Sequence, residues 1–400
     1  MANFKYRAMN SEGNKVEGKH IADNEAAVME MLKNNGYYPL KIEEIIESKN
    51  IEININQKVS TKDIAIFCRQ FYTMLDAGVT INNSLNILAG QVTNKKLKKA
   101  IIAVEEEVKK GTSLSIAMEN QGDCFPSLLI TMVEAGEVSG NLDAIMLRMS
   151  THFEKENKIN SKIKGAMTYP AILTIVCIVV GIFLMVFIMP TFMDMFEEAG
   201  NSLPGSTKAL IAISNFMGSY WYVLIGIVAI LVFTIKKYTK TENGFLVVSK
   251  LKLTLPVLKP LNQKIIVSRF ARTMSTLLSS GVSMGESLEI LSNVVNNKIA
   301  KDALLQVKER VYKGEGLSKP MSETELFPEM LSAMLKIGEE TGKLDDILSK
   351  TADFYDEEVE TAIQTATTMI EPALIIVMGG IVGFIILSIM IPLFNMYSTI

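Results

Sequence analysis

The segment closest to a nucleotide-binding motif is GEETGKL, from Gly338 to Leu344. In a P-loop, two glycines are separated by four residues, and the second is followed by Lys and then Ser or Thr. Main-chain amides then hold the phosphates, and the hydroxyl holds magnesium. Here the spacer has three residues, Leu344 replaces the hydroxyl residue, and no buried strand is predicted before the segment. We therefore predict no ATP site.

The other residue types that support catalysis are few and scattered. The two histidines, His20 and His152, are far apart in sequence, and Cys68, Cys124 and Cys177 form no CxxC pair. This spacing indicates neither a metal site nor a disulfide framework. We expect His152 on a solvated helix face and Cys68 packed on an apolar one. The prediction is that the chain is not an enzyme, with no catalytic, cofactor-binding or metal-binding residues. A net charge of −3 and the lack of a basic run with aromatics predict no nucleic-acid binding.

The same short segment occurs twice, as GEVSGNL from Gly136 to Leu142 and as GEETGKL. We expect Gly136 and Gly338 to end helices, with an aspartate in the first turn of each following helix. The glutamates then have two interpretations that both stay open. They are either structural residues of the junction or exposed acidic contacts for a partner. The candidate partner-contact residues are Gly136, Glu137, Gly140, Gly338, Glu339 and Gly342.

These segments belong to a larger duplication. FCRQFYTMLDAGVTINNSLNIL (67–88) aligns with FARTMSTLLSSGVSMGESLEIL (270–291), and Phe125-Pro126 aligns with Phe327-Pro328. Apolar residues recur at helical spacing in both copies, and no alternating strand pattern interrupts them. Ser60 and Asp63 suit a capping box at the start of the first copy. We predict two repeated all-α bundles at 60–169 and 236–371.

Each copy ends in an uncharged run of 19 residues between two prolines, Pro170 to Pro190 and Pro372 to Pro392. At about 1.5 Å per residue, such a helix is about 29 Å long, close to the hydrocarbon thickness of a bilayer. A third apolar run, 218–235, begins with aromatic residues typical of a membrane interface. We predict three transmembrane helices, 170–190, 218–235 and 372–392, with the four prolines as membrane boundaries.

The three runs contain no Asp, Glu, Lys, Arg or His, which opposes a transporter. Gly379 and Gly383 form a GxxxG in the last run, and Gly181 keeps half of it in the first. These glycines either pair helices closely, within or between protomers, or are small residues tolerated against lipid. Both interpretations stay open.

The distribution of Lys and Arg predicts the orientation. Basic residues cluster before the first span and after the second, whereas the connector 191–217 holds only Lys208. The positive-inside rule therefore places both bundles in the cytoplasm and the connector and the tail 393–400 outside. The third span is a partial exception, because 351–371 has no Lys or Arg and several glutamates, among them Glu357, Glu360 and Glu371.

Residues 1–50 read as a small separate α/β unit. Strands are predicted at 4–9, 15–22 and 40–45, and a helix capped by Asp23 is predicted to stop at Gly36. A linker, 51–59, rich in Asn and Lys, joins this unit to the first bundle.

With these features, the chain resembles the type II secretion F-protein and type IV pilus assembly platform family. The resemblance rests on the duplicated motif from Phe67 to Leu88 and from Phe270 to Leu291, the two GExxGxL segments, and EPALIIVMGGIVGFIILSIMIPLF at 371–394. It covers essentially the whole chain. One departure is Tyr169, which stands where the second copy has Glu371.

The resemblance implies a non-enzymatic platform in the inner membrane. Such a protein would dock a hexameric assembly ATPase and couple it to polymerisation of pilin or pseudopilin subunits. It would also contact other inner-membrane components and form homo-oligomers. A generic membrane scaffold unrelated to pili is the alternative. The choice between pilus and secretion system, and the number of protomers, stay open.

Overall fold

The computed structural model describes residues 2–10, 15–22, 24–45, 58–192, 205–256 and 258–397. The chain divides into two compact units, Met1–Gln57 and Lys58–Ile400. The described part is mostly helical, with a small sheet confined to the first unit. Most of the predicted linker, and the middle of the predicted connector, lie outside the described residues.

The first unit is a three-stranded antiparallel sheet with one helix. Strands β1 (Ala2–Met9), β2 (Lys15–Ala22) and β3 (Tyr38–Ile45) lie in the order β2-β1-β3, and α1 is Glu25–Asn34. The three predicted strands are confirmed. The predicted cap is wrong, because Asn24 immediately precedes the helix and its side chain accepts the Ala27 N–H at 2.9 Å. Asp23 lies outside the described residues.

The second unit begins with the first helical copy. Its helices are α2 (Thr61–Asp76), α3 (Ile81–Gln91), α4 (Lys95–Lys109), α5 (Leu114–Glu119), α6 (Ser127–Ser139) and α7 (Leu142–Phe183), with a 3₁₀ turn at Gly122–Cys124. The capping box is confirmed, since Ser60 and Asp63 exchange side-chain and main-chain hydrogen bonds. The predicted apolar face of α2 is buried, including Phe67 and Phe71.

Two helices, α8 (Gly205–Tyr238) and α9 (Glu242–Thr254), precede the second copy. The second copy then has α10 (Leu258–Leu278), α11 (Met284–Val294), α12 (Lys298–Tyr312), α13 (Ser318–Ser322), α14 (Glu329–Thr341) and α15 (Leu344–Tyr397). The two cores repeat one another in detail. The Phe67 and Phe125 rings are 5.7 Å apart at 49°, and the Phe270 and Phe327 rings are 5.7 Å apart at 50°. The duplication is confirmed.

The last helix of each copy runs without a break into its apolar segment. α7 has 42 residues and α15 has 54, so the two are about 63 and about 81 Å long. Pro170 and Pro372 lie inside these helices. After α7, the chain makes a π turn at Leu184–Ile188 and continues as a helix past Pro190. Proline lacks the N–H that a regular turn needs and its ring crowds the preceding turn, which explains this local widening.

Within the described residues, two helices are long and apolar enough to span a membrane, Leu142–Phe192 and Leu344–Ile391. Their apolar parts are largely exposed; the Ile376 side chain, for example, is 74% exposed. The third predicted span, 218–235, falls within α8. The backbone there is helical with a kink at Tyr220, but several of its side chains, including that of Trp221, lie outside the described part.

Candidate functional site

The repeated GExxGxL segments form two matching helix junctions. The expectation that Gly136 and Gly338 end helices is wrong, because both lie inside their helices, one turn before the end. The helices end at Gly140 and Gly342, which adopt positive φ angles of 73° and 67°. Each donates its N–H to the carbonyl of Gly136 or Gly338, the usual left-handed helix stop that favours glycine.

Gly136 and Gly338 instead let the next helix begin close by. A Cβ atom at Gly136 would lie 3.3 Å from Leu142 Cα, and one at Gly338 would lie 3.0 Å from Leu344 Cα. Because these neighbours are main-chain atoms at the start of a long helix, a larger residue would push that helix away. The paired glycines therefore fix where α7 and α15 leave their bundles.

Glu137 and Glu339 close the same junctions by capping short helices. The Glu137 carboxylate accepts hydrogen bonds from the N–H groups of Leu114 and Ser115, at 2.5 and 3.0 Å, and from the Ser115 hydroxyl. Glu339 repeats this arrangement at the start of α13 with Leu317 and Ser318. A carboxylate there satisfies N–H groups that have no partner within the helix.

The two glutamates are less exposed than the partner-contact interpretation assumes. Both are half-buried, because capping draws their carboxylates onto the neighbouring helix. Their role as acidic partner contacts stays a prediction. The structural interpretation accounts for the duplicated glutamate by itself.

A groove of about 370 Å³ lies beside the junction of the first copy. Its wall presents two exposed apolar side chains, Ile116 (52% exposed) and Val138 (87% exposed), next to exposed Glu119 and Glu134. The aligned positions in the second copy hold Lys319, Lys336 and Glu340 in place of Ile116, Glu134 and Val138. The two junctions share a backbone but present different surfaces.

The two long helices pair side by side, and we call α7 and α15 the paired helices. Lys155 bonds Asp353, Lys162 bonds Glu360, and Lys158 Nζ lies 3.6 Å from Glu360 Oε1. Ile159, Val359 and Ile363 form an apolar seam between the helices. The pairing therefore combines an apolar contact with basic residues on one helix and acidic residues on the other.

Some of these contacts join equivalent positions of the two copies. Lys158 faces Glu360, and the Tyr169 hydroxyl lies 3.3 Å from Glu371 Oε1, both at a sequence offset of 202. Two parallel helices in register bring equivalent residues together in this way. The departure at Tyr169 is thus a contact between the copies. Sequence reasoning missed this pairing, although the charge contrast between 155–164 and 353–371 was a visible signal.

A duplicated ion pair ties each long helix to its bundle. Arg69 donates to both Glu154 oxygens, at 2.9 and 2.8 Å, and Arg272 bonds Asp356 in the second copy. The hydrogen bonds with Glu154 raise the pKa of Arg69. Sequence reasoning also missed these pairs, whose signal was the arginine repeated two residues after the aligned phenylalanine.

His152 and Cys68 are both buried in the protein interior. The expectation that His152 is solvated is wrong, because its ring is buried at the contact between the copies, edge-on to Phe153. Burial, together with Arg272 and Arg269, lowers the pKa of His152 to about 3. The packed Cys68 thiol is confirmed, and burial raises its pKa. In the described ranges, no three His, Cys, Asp or Glu residues are grouped to hold a metal ion.

The glycines of the apolar segments have no close neighbours from other described helices. A Cβ atom built at Gly181, Gly379 or Gly383 would have no heavy atom of the described chain within 4 Å, apart from its own helix. Among the described residues of one protomer, no helix packs closely against these glycines. Pairing between protomers stays a prediction.

Fold and geometry define a class of protein: a duplicated helical protein whose two bundles each continue into a long apolar helix. The family described as type II secretion system (T2SS), protein F, matches residues 67–190 and 270–392, together more than half of the chain. The N-terminal domain of the same family matches residues 1–43. The chain belongs to the type II secretion system protein F family.

Curated relatives of two kinds are similar over nearly their whole length. A type IV pilus assembly protein PilC of Myxococcus xanthus is 35% identical, covering 100% of this chain and 96% of the relative. One of Thermus thermophilus is 36% identical, covering 99% and 98%. A type II secretion system protein F of Vibrio cholerae is 29% identical, covering 99% and 98%.

Proposed function

We propose that this chain is the inner-membrane platform of a type IV pilus or type II secretion machine. In this role it docks the cytoplasmic assembly ATPase, a hexamer, and couples it to polymerisation of pilin or pseudopilin subunits. It works without catalysing a reaction and as a homo-oligomer. The names of the relatives support the type of machine, and the duplicated bundles with apolar helices support the architecture.

The observation that carries the proposal is the continuity of α7 and α15. Each helix starts in a bundle core, at Leu142 or Leu344, and reaches the end of its apolar segment with no intervening loop. A displacement of a bundle therefore reaches the membrane segment along one continuous helical element. A flexible connection would instead absorb such a displacement.

Three membrane spans belong to the proposal, with α8 as the span between the two copies. Lys236 and Lys237 close the apolar part of α8, as expected for a cytoplasmic end. Both bundles are then cytoplasmic, and the connector 191–217 and the tail 393–400 are extracytoplasmic. The exposed apolar faces of the long helices meet lipid, pilin helices and other inner-membrane components.

We assign ATPase docking to the groove of the first copy. Its exposed Ile116 and Val138, bordered by Glu119 and Glu134, suit a partner surface with apolar and basic side chains. The second copy has basic residues at two of these positions, which would repel the same partner. The half-buried Glu137, which caps α5 beside the groove, contributes by holding the groove in shape.

A pull-down with the purified assembly ATPase tests this assignment. Val138→Glu gives the first copy the residue type of the second and should reduce ATPase capture about tenfold or more, because it places a charge at the apolar centre of the contact. Glu340→Val at the aligned position is the matched control and should leave capture unchanged. Equal capture by both variants and the wild type would refute this docking surface.

The alternative, a generic membrane scaffold, makes a different prediction about cells. If it holds, a deletion strain keeps its pili or secretion, and no assembly ATPase co-purifies with the wild-type chain. Loss of pili or secretion in the deletion strain, restored by the wild-type chain, supports the platform.

A further inference from the structure

A polar cavity of about 250 Å³ lies between the two copies, where α7 meets α10 and α15. Three of its lining residues are cationic, Arg148, Lys155 and Arg272, and none of its lining residues is an Asp or Glu. The lining hydroxyls of Thr151 and Ser279 donate to main-chain carbonyls, so the strong donors are the cations. The cavity is therefore a concave surface with positive charge.

The cations exceed their carboxylate partners. Lys155 and Arg272 share Asp353, and Arg272 also pairs with Asp356. Arg148 bonds only the hydroxyls of Ser279 and Ser280, with no ion pair among the described residues. Three cations thus meet two carboxylates, and the guanidinium of Arg148 keeps most of its donors unused. Such an arrangement attracts an anion.

Two buried nitrogen atoms of residues that line the cavity also lack hydrogen-bond partners among the described residues. His152, which is 5% exposed, and Arg272 both line the cavity. His152 Nδ1 and Arg272 Nε are buried and have no hydrogen-bond partner in the described part of the chain. Buried polar atoms nearly always have a partner, and an arginine Nε–H only donates. Arg272 Nε therefore lacks an acceptor in the described chain, and an oxygen of a bound anion would reach it only after the side chains around it move.

We propose that this cavity binds a small phosphate-type oxyanion, inorganic phosphate or a compact phosphomonoester, between the two copies. Guanidinium groups match such oxygens with paired hydrogen bonds. The volume lies below the roughly 300–1,000 Å³ of pockets for drug-sized ligands, which suits a compact phosphate better than a whole nucleotide. The ligand bridges cations of both copies and so stabilises their contact, because it binds only where the copies meet.

The position along α7 favours a soluble ligand over a lipid headgroup. Pro170, where the apolar segment begins, lies 15 positions after Lys155 on the same helix, which is about 22 Å of helix. A headgroup at the membrane surface would not reach that far. This inference does not depend on the docking partner of the protein.

Isothermal titration of the full-length protein in detergent with inorganic phosphate, at constant ionic strength set by chloride, tests the proposal. We expect saturable binding to the wild type. Arg148→Gln should weaken it about tenfold or more, because charge-assisted hydrogen bonds are lost. The matched control is Lys350→Gln, the aligned position of the second copy, which is exposed and should bind phosphate as the wild type does. No saturable heat with the wild type, or equal weakening by both variants, would overturn the proposal.

NMR signals of the histidine rings show where the ligand binds. The chain has only His20 and His152, so a His20→Gln variant assigns both. Phosphate should shift the ring signals of His152 and leave those of the exposed His20 in place. Shifts at His20 alone would contradict the site. A shift of His152 on transfer to nanodiscs with anionic lipid, without added phosphate, would assign the cavity to a headgroup and refute a soluble ligand.

Discussion

At the scale of single residues, the duplicated glutamates are best explained by the hydrogen bonds that they accept. Glu137 takes two main-chain N–H groups and one hydroxyl, and Glu339 does the same in the second copy. The glutamate is therefore present in both copies because each copy has a short helix that it caps. The part that differs between the copies, the exposed groove around Val138, carries the specific contact in our proposal.

Glu137→Ala should lower the thermal unfolding temperature of the detergent-solubilised protein by several degrees. The substitution leaves the start of α5 without its acceptor, and lost hydrogen bonds to a charged group cost roughly 1.5–3 kcal/mol. Calorimetry or intrinsic fluorescence measures the shift. Glu134→Ala, an exposed residue of the same helix, is the control and should change stability by no more than about 0.5 kcal/mol.

The opposite pattern would favour the partner-contact interpretation. It would appear as an unchanged unfolding temperature for Glu137→Ala together with reduced ATPase capture.

At this scale the sequence allowed a partial prediction. The Ser60 and Asp63 capping box and the buried Cys68 followed from local pattern, because both depend on neighbours within one or two helical turns. The partners of Glu137 lie 22 and 23 residues away, and the burial of His152 depends on the other copy. Such contacts are set by tertiary packing, which spacing along one helix does not reveal.

At the scale of helices, contacts with α7 explain why the residues before the last apolar segment, 351–371, are acidic. The sequence between 351 and 371 looks like an exception to the positive-inside rule when it is read alone. In the structure, Lys155 and Lys162 of the neighbouring helix bond its Asp353 and Glu360. The lysines supply the positive charge that the second copy lacks. Lys162 and Lys158 accordingly lower the pKa of Glu360.

Reversing one charge between the paired helices should weaken their association, and reversing both should restore it. Glu360→Lys places a third lysine against Lys158 and Lys162, so we expect a loss of about 1 kcal/mol in low salt, and less in high salt because ions screen exposed pairs. The double variant Lys162→Glu, Glu360→Lys should recover most of the loss. Thermal unfolding at two salt concentrations measures both effects.

The matched control for charge is Glu357→Lys, a nearby exposed glutamate with no ion pair among the described residues. An equal loss with Glu357→Lys, or no recovery in the double variant, would contradict pairing through these residues.

At the scale of the whole molecule, duplication was the most predictable feature. It follows from direct comparison of the two halves, and the paired rings of Phe67 with Phe125 and of Phe270 with Phe327 show that the cores repeat as well. The apolar segments were also predictable, because length and lack of charge are local properties. The helices continue through Pro170 and Pro372, and the role of the prolines as membrane boundaries stays a prediction. The pairing of α7 with α15 needed three-dimensional information.

The central claim is that both bundles lie on the cytoplasmic side, so that they can relay motion to the apolar helices. Cysteines placed at Ser139 and Thr341, exposed and equivalent positions of the two junctions, report it directly after Cys177 is replaced by alanine. The two remaining cysteines, Cys68 and Cys124, are buried. A third cysteine at Ser202 reports the connector.

A membrane-impermeant maleimide, applied to right-side-out and to inverted inner-membrane vesicles, is the decisive measurement. We predict that positions 139 and 341 are labelled only in inverted vesicles and that position 202 is labelled only in right-side-out vesicles. Labelling of 139 and 341 from opposite sides of the membrane would contradict the account.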